Sequence, residues 1–148
     1  MAVNPIPEGY RTVTPYLVVD GATNVLDFVK QAFGAEEKLR MDGPDGKIGH
    51  AEVQIGDSIV MMGDAGAENP AMPAMIHLYV DDCDATYERA LAAGAKSERE
   101  PTDQFYGDRS AGVRDAAGNL WWIATHVEDV PEEEMAKRIE EATAAQAG

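Results

Sequence analysis

The sequence predicts an α+β fold built from two tandem copies of one βαβββ unit. Three observations carry that prediction. A strand-like run recurs at an offset of about 61 residues, with Pro15-Tyr16-Leu17-Val18-Val19-Asp20 answered by Ile76-His77-Leu78-Tyr79-Val80-Asp81. Each run leads into a helical stretch that closes on the same pair, Gly34-Ala35 in one and Gly94-Ala95 in the other. A hairpin signal also repeats, Val53 to Ile59 matching Val113 to Trp121 with a short insertion. Order and spacing repeated together are the signature of an internal duplication.

Taken in order, residues 1–11 contain Pro5, Pro7 and Gly9 and read as an irregular arm. A strand over about 12–19 follows from its β-branched and aromatic residues. After the Asp20-Gly21 turn, Val25, Phe28, Val29 and Ala32 recur at helical spacing. Three short strands are predicted at about 36–41, 49–55 and 58–62, separated by Gly43-Pro44-Asp45-Gly46 and by Gly56-Asp57. The segment 63–73, with two prolines and two glycines, is a linker. The first unit therefore spans 12–64 and the second 74–127, whose helix is expected at about 84–93. Residues 128–148 form an acidic C-terminal helix or tail, in which Pro131 and three glutamates suit a helix N-terminus. All three segments belong to one structural domain, as 148 residues suggest.

Composition narrows the function classes. Hydrophobic residues make up 45% and charged residues 26%, an ordinary globular balance. Lys and Arg number 12 against 27 Asp and Glu, and the net charge of -15 repels both nucleic-acid phosphates and anionic lipid. Neither nucleic acid nor membrane is an expected partner. No apolar run approaches the ~18–20 residues that span a bilayer. The segment MAVNPIPEGYR has no basic or apolar signal region, so a cytoplasmic location is predicted. The single Cys83 allows no internal disulfide, and Asp81, Asp82 and Asp84 beside it oppose thiolate formation.

Several strings carry a resemblance. They are Ala32-Phe33-Gly34-Ala35-Glu36, Gly49-His50-Ala51-Glu52, His77-Leu78-Tyr79-Val80-Asp81-Asp82, Phe105-Tyr106-Gly107-Asp108-Arg109 and, strongest, Gly118-Asn119-Leu120-Trp121-Trp122-Ile123-Ala124-Thr125-His126. With the tandem plan they resemble the vicinal oxygen chelate superfamily of glyoxalase I, extradiol dioxygenases and bleomycin-resistance proteins, and within it the PhnB-like branch. The likeness covers about residues 12–130. It implies that each unit curls into half of an open barrel, with helices on the convex face and a ligand cavity on the concave one. It also implies a homodimer, with exchange of units between chains as one arrangement. In the family's enzymes, the first and last strands of each unit supply a divalent-metal site built from His and Glu.

Side chains alternate across a strand, so parity assigns faces. Ala51, Val53 and Ile55 suit a helix-covered face, leaving His50, Glu52 and Gln54 for the cavity. Likewise Ile76, Leu78 and Val80 face the helix while Met75, His77 and Tyr79 face inward, as Thr14 and Tyr16 do in the first unit. Of the adjacent tryptophans, Trp121 is the core candidate and Trp122 the cavity candidate. On this register the family's metal positions fall on Thr14, Met61, Met75 and Trp122. None is His, Asp or Glu, and a thioether or indole does not replace carboxylate or imidazole around a divalent ion. No cofactor is therefore expected. A metal has one remaining route, a displaced site of His50, Glu52 and His77.

The predicted ligand cavity comprises Thr14, Tyr16, His50, Glu52, Met61, Met75, His77, Tyr79, Phe105, Arg109 and Trp122. Its aromatic and methionine surface suits a small organic molecule. Arg109 and the aromatics Phe105 and Tyr106 suit a planar or anionic one, unless the loop is locked by an internal Asp108–Arg109 bond. Glu52 is a candidate base with a raised pKa in a semi-apolar site, or else a structural partner of Arg109. His77 is the second candidate base. The leading expectation is a metal-free binding protein for a small hydrophobic or aromatic molecule. The alternatives are a metal-dependent lyase or dioxygenase with the displaced site, and a structural or regulatory dimer with a vestigial cavity.

Overall fold

The computed structural model describes residues 2–147. Its first half runs β1 (Tyr16–Val19), α1 (Ala22–Phe33), β2 (Glu36–Asp42), β3 (Ile48–Ile55) and β4 (Ser58–Asp64). The second half repeats the order as β5 (Met75–Tyr79), α2 (Cys83–Ala92), β6 (Lys96–Asp103), β7 (Asp108–Arg114) and β8 (Leu120–His126), followed by α3 (Glu132–Ala147). Two four-stranded sheets result, ordered β1-β4-β3-β2 and β5-β8-β7-β6. In each, the first and last strands pair in parallel and the remaining pairs are antiparallel.

Local chemistry sets the boundaries. β1 is shorter than the sequence predicts, because Pro15 has no N–H to give a ladder. Its carbonyl still accepts from Met61 N–H at 2.9 Å, and regular pairing starts at Tyr16. The start of α1 has no side-chain cap of its own. Asp64, at the end of β4, supplies one from across the sheet, accepting from the N–H groups of Gly21 (3.0 Å), Ala22 (2.9 Å) and Ile48 (2.7 Å). Burial opposes ionisation of this carboxyl, yet the three backbone donors outweigh it and hold the group below its ordinary value. In α2 the cap is local, Asp82 accepting from Ala85 N–H.

The helix-side faces of the two sheets share one core. Leu17, Val19, Ala51, Val53 and Met62 from the first sheet, with Ala111, Val113, Trp121 and Ile123 from the second, are buried around α1 and α2. Trp121 is the largest fully buried side chain, and its ring lies 6.3 Å from Phe28 and 5.1 Å from Phe33 of α1. One strand is covered less well: Ile76 and Leu78 are only half-buried, so β5 is accessible on both faces. The outer strands β2 and β6 are exposed over most of their length, and their charges and Pro101 discourage edge-to-edge pairing.

The hairpin between β7 and β8 is organised by Asp115. Its carboxylate accepts from the backbone N–H groups of Ala117 (2.9 Å) and Asn119 (3.0 Å), from Asn119 Nδ2 (3.0 Å) and from Trp121 Nε1 (2.8 Å). Asn119 in turn accepts from Ala74 N–H, fixing the entry into β5. Replacing Asp115 by Ala strands these buried donors, so Asp115→Ala is expected to lower unfolding stability by on the order of 3–5 kcal/mol in urea titrations.

Candidate functional site

The face of each sheet opposite the helices carries the polar and aromatic residues, and strand register aligns them in rows. In the first sheet Tyr16, Met61, Glu52 and Leu39 lie side by side across β1, β4, β3 and β2. In the second, His77, Trp122, Gly112 and Arg99 occupy the same places. The backbone plan is thus duplicated residue for residue while the chemistry is not. A Cβ at Gly112 would meet the Trp122 ring at 2.4 Å, so the missing side chain makes room for the indole.

The first face holds a chain of hydrogen bonds. Tyr10, from the N-terminal arm, donates its hydroxyl proton to Glu52 Oε1. His50 Nε2 lies 2.7 Å from Glu52 Oε2, and Tyr16 Oη lies 3.0 Å from His50 Nδ1. Glu52 is only 7% exposed. Its bond to His50, then its bond to Tyr10, outweigh burial and hold the carboxyl below the usual range. The same carboxylate pushes the Tyr10 phenol upward. This corrects the expectation of a raised Glu52 pKa. Parity places His50 beside it on the same face, but the second donor, Tyr10, comes from the arm, 42 residues earlier in the chain, where the local sequence does not advertise it.

The second face has a different network. Tyr79 donates to Asp108 Oδ2 at 2.8 Å, and His126 bridges Asp108 (2.8 Å) and Asp129 (2.7 Å) with its two ring nitrogens. These bonds, Asp108 first, raise the His126 pKa. Burial disfavours the Asp108 charge, but His126 and Tyr79 overcome it and lower that pKa. Arg99 stacks 4.7 Å above the Trp122 ring, whose Nε1 donates to Met75 Sδ at 3.1 Å. Sequence reasoning missed Arg99, Asp108 and His126. Counting alternate positions outward from Trp122 through Ala124 would have found His126.

Arg109 is not on this face. Its guanidinium binds Asp84 of α2 through Nε (2.8 Å) and a terminal nitrogen (3.1 Å), with Asp103 at 3.2 Å. Neither a bond to Asp108 nor one to Glu52 forms. The reason is parity: β7 begins at Asp108, so Arg109 shares the helix side with Ala111 and Val113. Phe105 sits on the β6–β7 turn, edge-on to Tyr106 at 5.3 Å, with its carbonyl accepting from Arg138 of α3. Thr14 precedes β1, and its hydroxyl contacts the Arg11 carbonyl at 3.4 Å. A groove of about 970 Å³ runs between β5, the β3–β4 turn and α2. Of the predicted set His77 and Tyr79 line it, while Tyr16, Met61 and Trp122 do not.

The family model of the Glyoxalase/Bleomycin resistance protein/Dioxygenase superfamily matches residues 11–123. The chain belongs to that superfamily. Two relatives at 38% identity are the uncharacterized proteins Mb0911c of Mycobacterium bovis, covering 91% of this chain and 93% of that one, and Rv0887c of Mycobacterium tuberculosis, covering 91% and 84%. Among solved structures, TioX from Micromonospora sp. ML1 is similar at 25% identity and TM-score 0.67, over 79% of this chain and 99% of that one. TnmS3 from Streptomyces sp. CB03234, an antibiotic binding protein, is similar at 20% identity and TM-score 0.62, over 85% and 98%.

The metal that this superfamily implies does not fit the donors present. Thr14, Met61, Met75 and Trp122 offer no carboxylate or imidazole at the positions inferred for it. Within one chain the displaced set is not assembled either. His50 and Glu52 adjoin but satisfy each other, whereas His77 lies in the other sheet. Among the described residues no three His, Cys, Asp or Glu side chains stand close enough to share an ion. Cys83 is buried against the Ile123 carbonyl, and burial, then Asp84, raises its thiol pKa.

Because the folded-state pKa of Glu52 is depressed, its contribution to stability is present above the ordinary value of 4.5 and lost as pH falls through the lower folded value. Glu52→Gln is expected to be less stable than wild type by about 1–2 kcal/mol at neutral pH. Urea midpoints measured down the acid range should show that difference closing only below the ordinary carboxylate value.

Proposed function

We propose that this superfamily member is a metal-free binding protein that takes a small hydrophobic or aromatic molecule on its concave sheet faces. The observation that supports this reading most is the exposure of large apolar side chains there. Tyr16 is 47% exposed, Met41 53%, Met75 66% and Tyr79 65%, although the helix-side core is already complete. Soluble proteins rarely leave such surface uncovered without a use for it. The polarizable sulfur and ring atoms of Met61 on one face, and of Met75 and Trp122 on the other, suit flat organic ligands. TnmS3 offers a precedent on the same fold, as an antibiotic binding protein.

The active form in this proposal is a homodimer, in which a second chain covers concave surface that a single protomer leaves open. The acidic surface and the lone buried Cys83 suit the reducing cytoplasm. No helix of the described chain is long and apolar enough to cross a membrane.

Sedimentation equilibrium is expected to return twice the 15.9 kDa chain mass. Elemental analysis after incubation with Mn, Fe, Ni or Zn should find far less than one ion per chain. Trp121 is fully buried and Trp122 partly exposed, so quenching by planar aromatic compounds reports on Trp122. Saturable quenching is expected in the wild type and loss of most of that signal in Trp122→Phe. A monomer that quenches with no compound in the series would leave this reading without support.

A further inference from the structure

We propose that Tyr16 presents its phenol oxygen to the concave face as a hydrogen-bond acceptor, so that the site selects aromatic ligands carrying an O–H or N–H donor. The inference rests on the binding role proposed above and specifies its ligand class. It follows from the direction of one hydrogen-bond chain.

That chain starts at Glu52. An ionised carboxylate only accepts, so the Tyr10 hydroxyl and His50 Nε2 must both donate to it. A neutral imidazole carries one donor and one acceptor, so a protonated Nε2 leaves Nδ1 as an acceptor. The group at Nδ1 is the Tyr16 hydroxyl, 3.0 Å away; with His50 assigned as the neutral Nε2-protonated ring, that hydroxyl donates inward. Its proton is committed to His50, and the lone pairs of its oxygen are what remain for a ligand. Tyr16 would ordinarily offer either role, and the buried carboxylate two steps away removes that freedom.

The backbone holds the phenol in this pose. A Cβ at Gly63 would approach Tyr16 Oη to 3.1 Å and the Gly49 carbonyl to 2.8 Å, so the hydroxyl passes over bare β4 backbone to reach His50. The two rings stand 5.5 Å apart with planes 33° from parallel. Tyr16 remains 47% exposed beside Met61, its register partner, giving an apolar surface with one directed acceptor. A ligand with a donor gains a hydrogen bond there; an acceptor-only ligand opposes two oxygen lone pairs across a dry contact.

The test compares 2-naphthol with 2-methoxynaphthalene, which differ by the methyl group that removes the donor. Calorimetric titration of the wild type is expected to show 2-naphthol binding about five- to tenfold tighter. In Tyr16→Phe the ratio should fall to near unity, with 2-methoxynaphthalene affinity little changed. Equal affinity of the two probes for the wild type overturns donor selection and leaves the binding role intact; binding of neither overturns both. A readout that needs no variant is the ¹⁵N spectrum of His50. A neutral ring protonated at Nε2 is expected, whereas protonation at Nδ1, alone or together with Nε2, reverses the chain and overturns the proposal.

Discussion

Trp121 and the helix pair around it constrain the whole molecule. The indole packs on Phe28 and Phe33 of the first unit while its N–H is held by Asp115 of the second. Arg89 of α2 adds a 3.3 Å bond to the carbonyl of Ala32 in α1. With α1 and α2 packed on each other, the helix-side faces of both sheets merge into one core. Burying a ring of this size removes on the order of 150–250 Å² from water, which makes the merged core the dominant stabilising contribution. The concave faces then carry little of the buried apolar surface, so their residues can differ in chemistry between the two units.

Divergence is visible in the paired rows. At matching register the first unit has Tyr16, Met61, Glu52 and Leu39, and the second has His77, Trp122, Gly112 and Arg99. One face therefore carries a buried carboxylate with a relay of aromatic donors. The other carries an indole seated over a glycine and capped by a guanidinium. A single loss of side chain, at Gly112, accompanies the larger ring beside it. The second network, Tyr79–Asp108–His126–Asp129, links this face to the segment entering α3. Arg138 of α3 holds Glu128 and the Phe105 carbonyl, so the C-terminal helix is tied to the β6–β7 turn although none of its residues is buried.

Much of the negative charge lies away from the concave faces. The outer strands β2 and β6 and the first turn of α3 carry most of their acids in solvent. Surface ion pairs such as Lys30–Glu37 and Arg40–Glu37 contribute little individually. Their value lies in keeping exposed strand edges soluble.

Duplication, strand parity and family were legible in the sequence because each rests on local periodicity. Alternation alone assigns Trp121 to one side of β8 and Trp122 to the other, and the repeated Gly-Ala closures mark both helices. Arg109 shows where local reading ends. Its side depends on the residue at which β7 begins, and its partners Asp84 and Asp103 come from other elements. Glu52 shows the same limit. Its ionisation depends on Tyr10 and His50, donors whose direction no spacing encodes. His77 sits on the strand and face that parity predicts, yet it does not join His50 and Glu52 because helix packing turns the two concave faces away from a shared centre within one chain. Period and turn chemistry are written in neighbours along the chain; hydrogen-bond partners, charge states and the meeting of two faces are set by distances that only the packed tertiary structure defines.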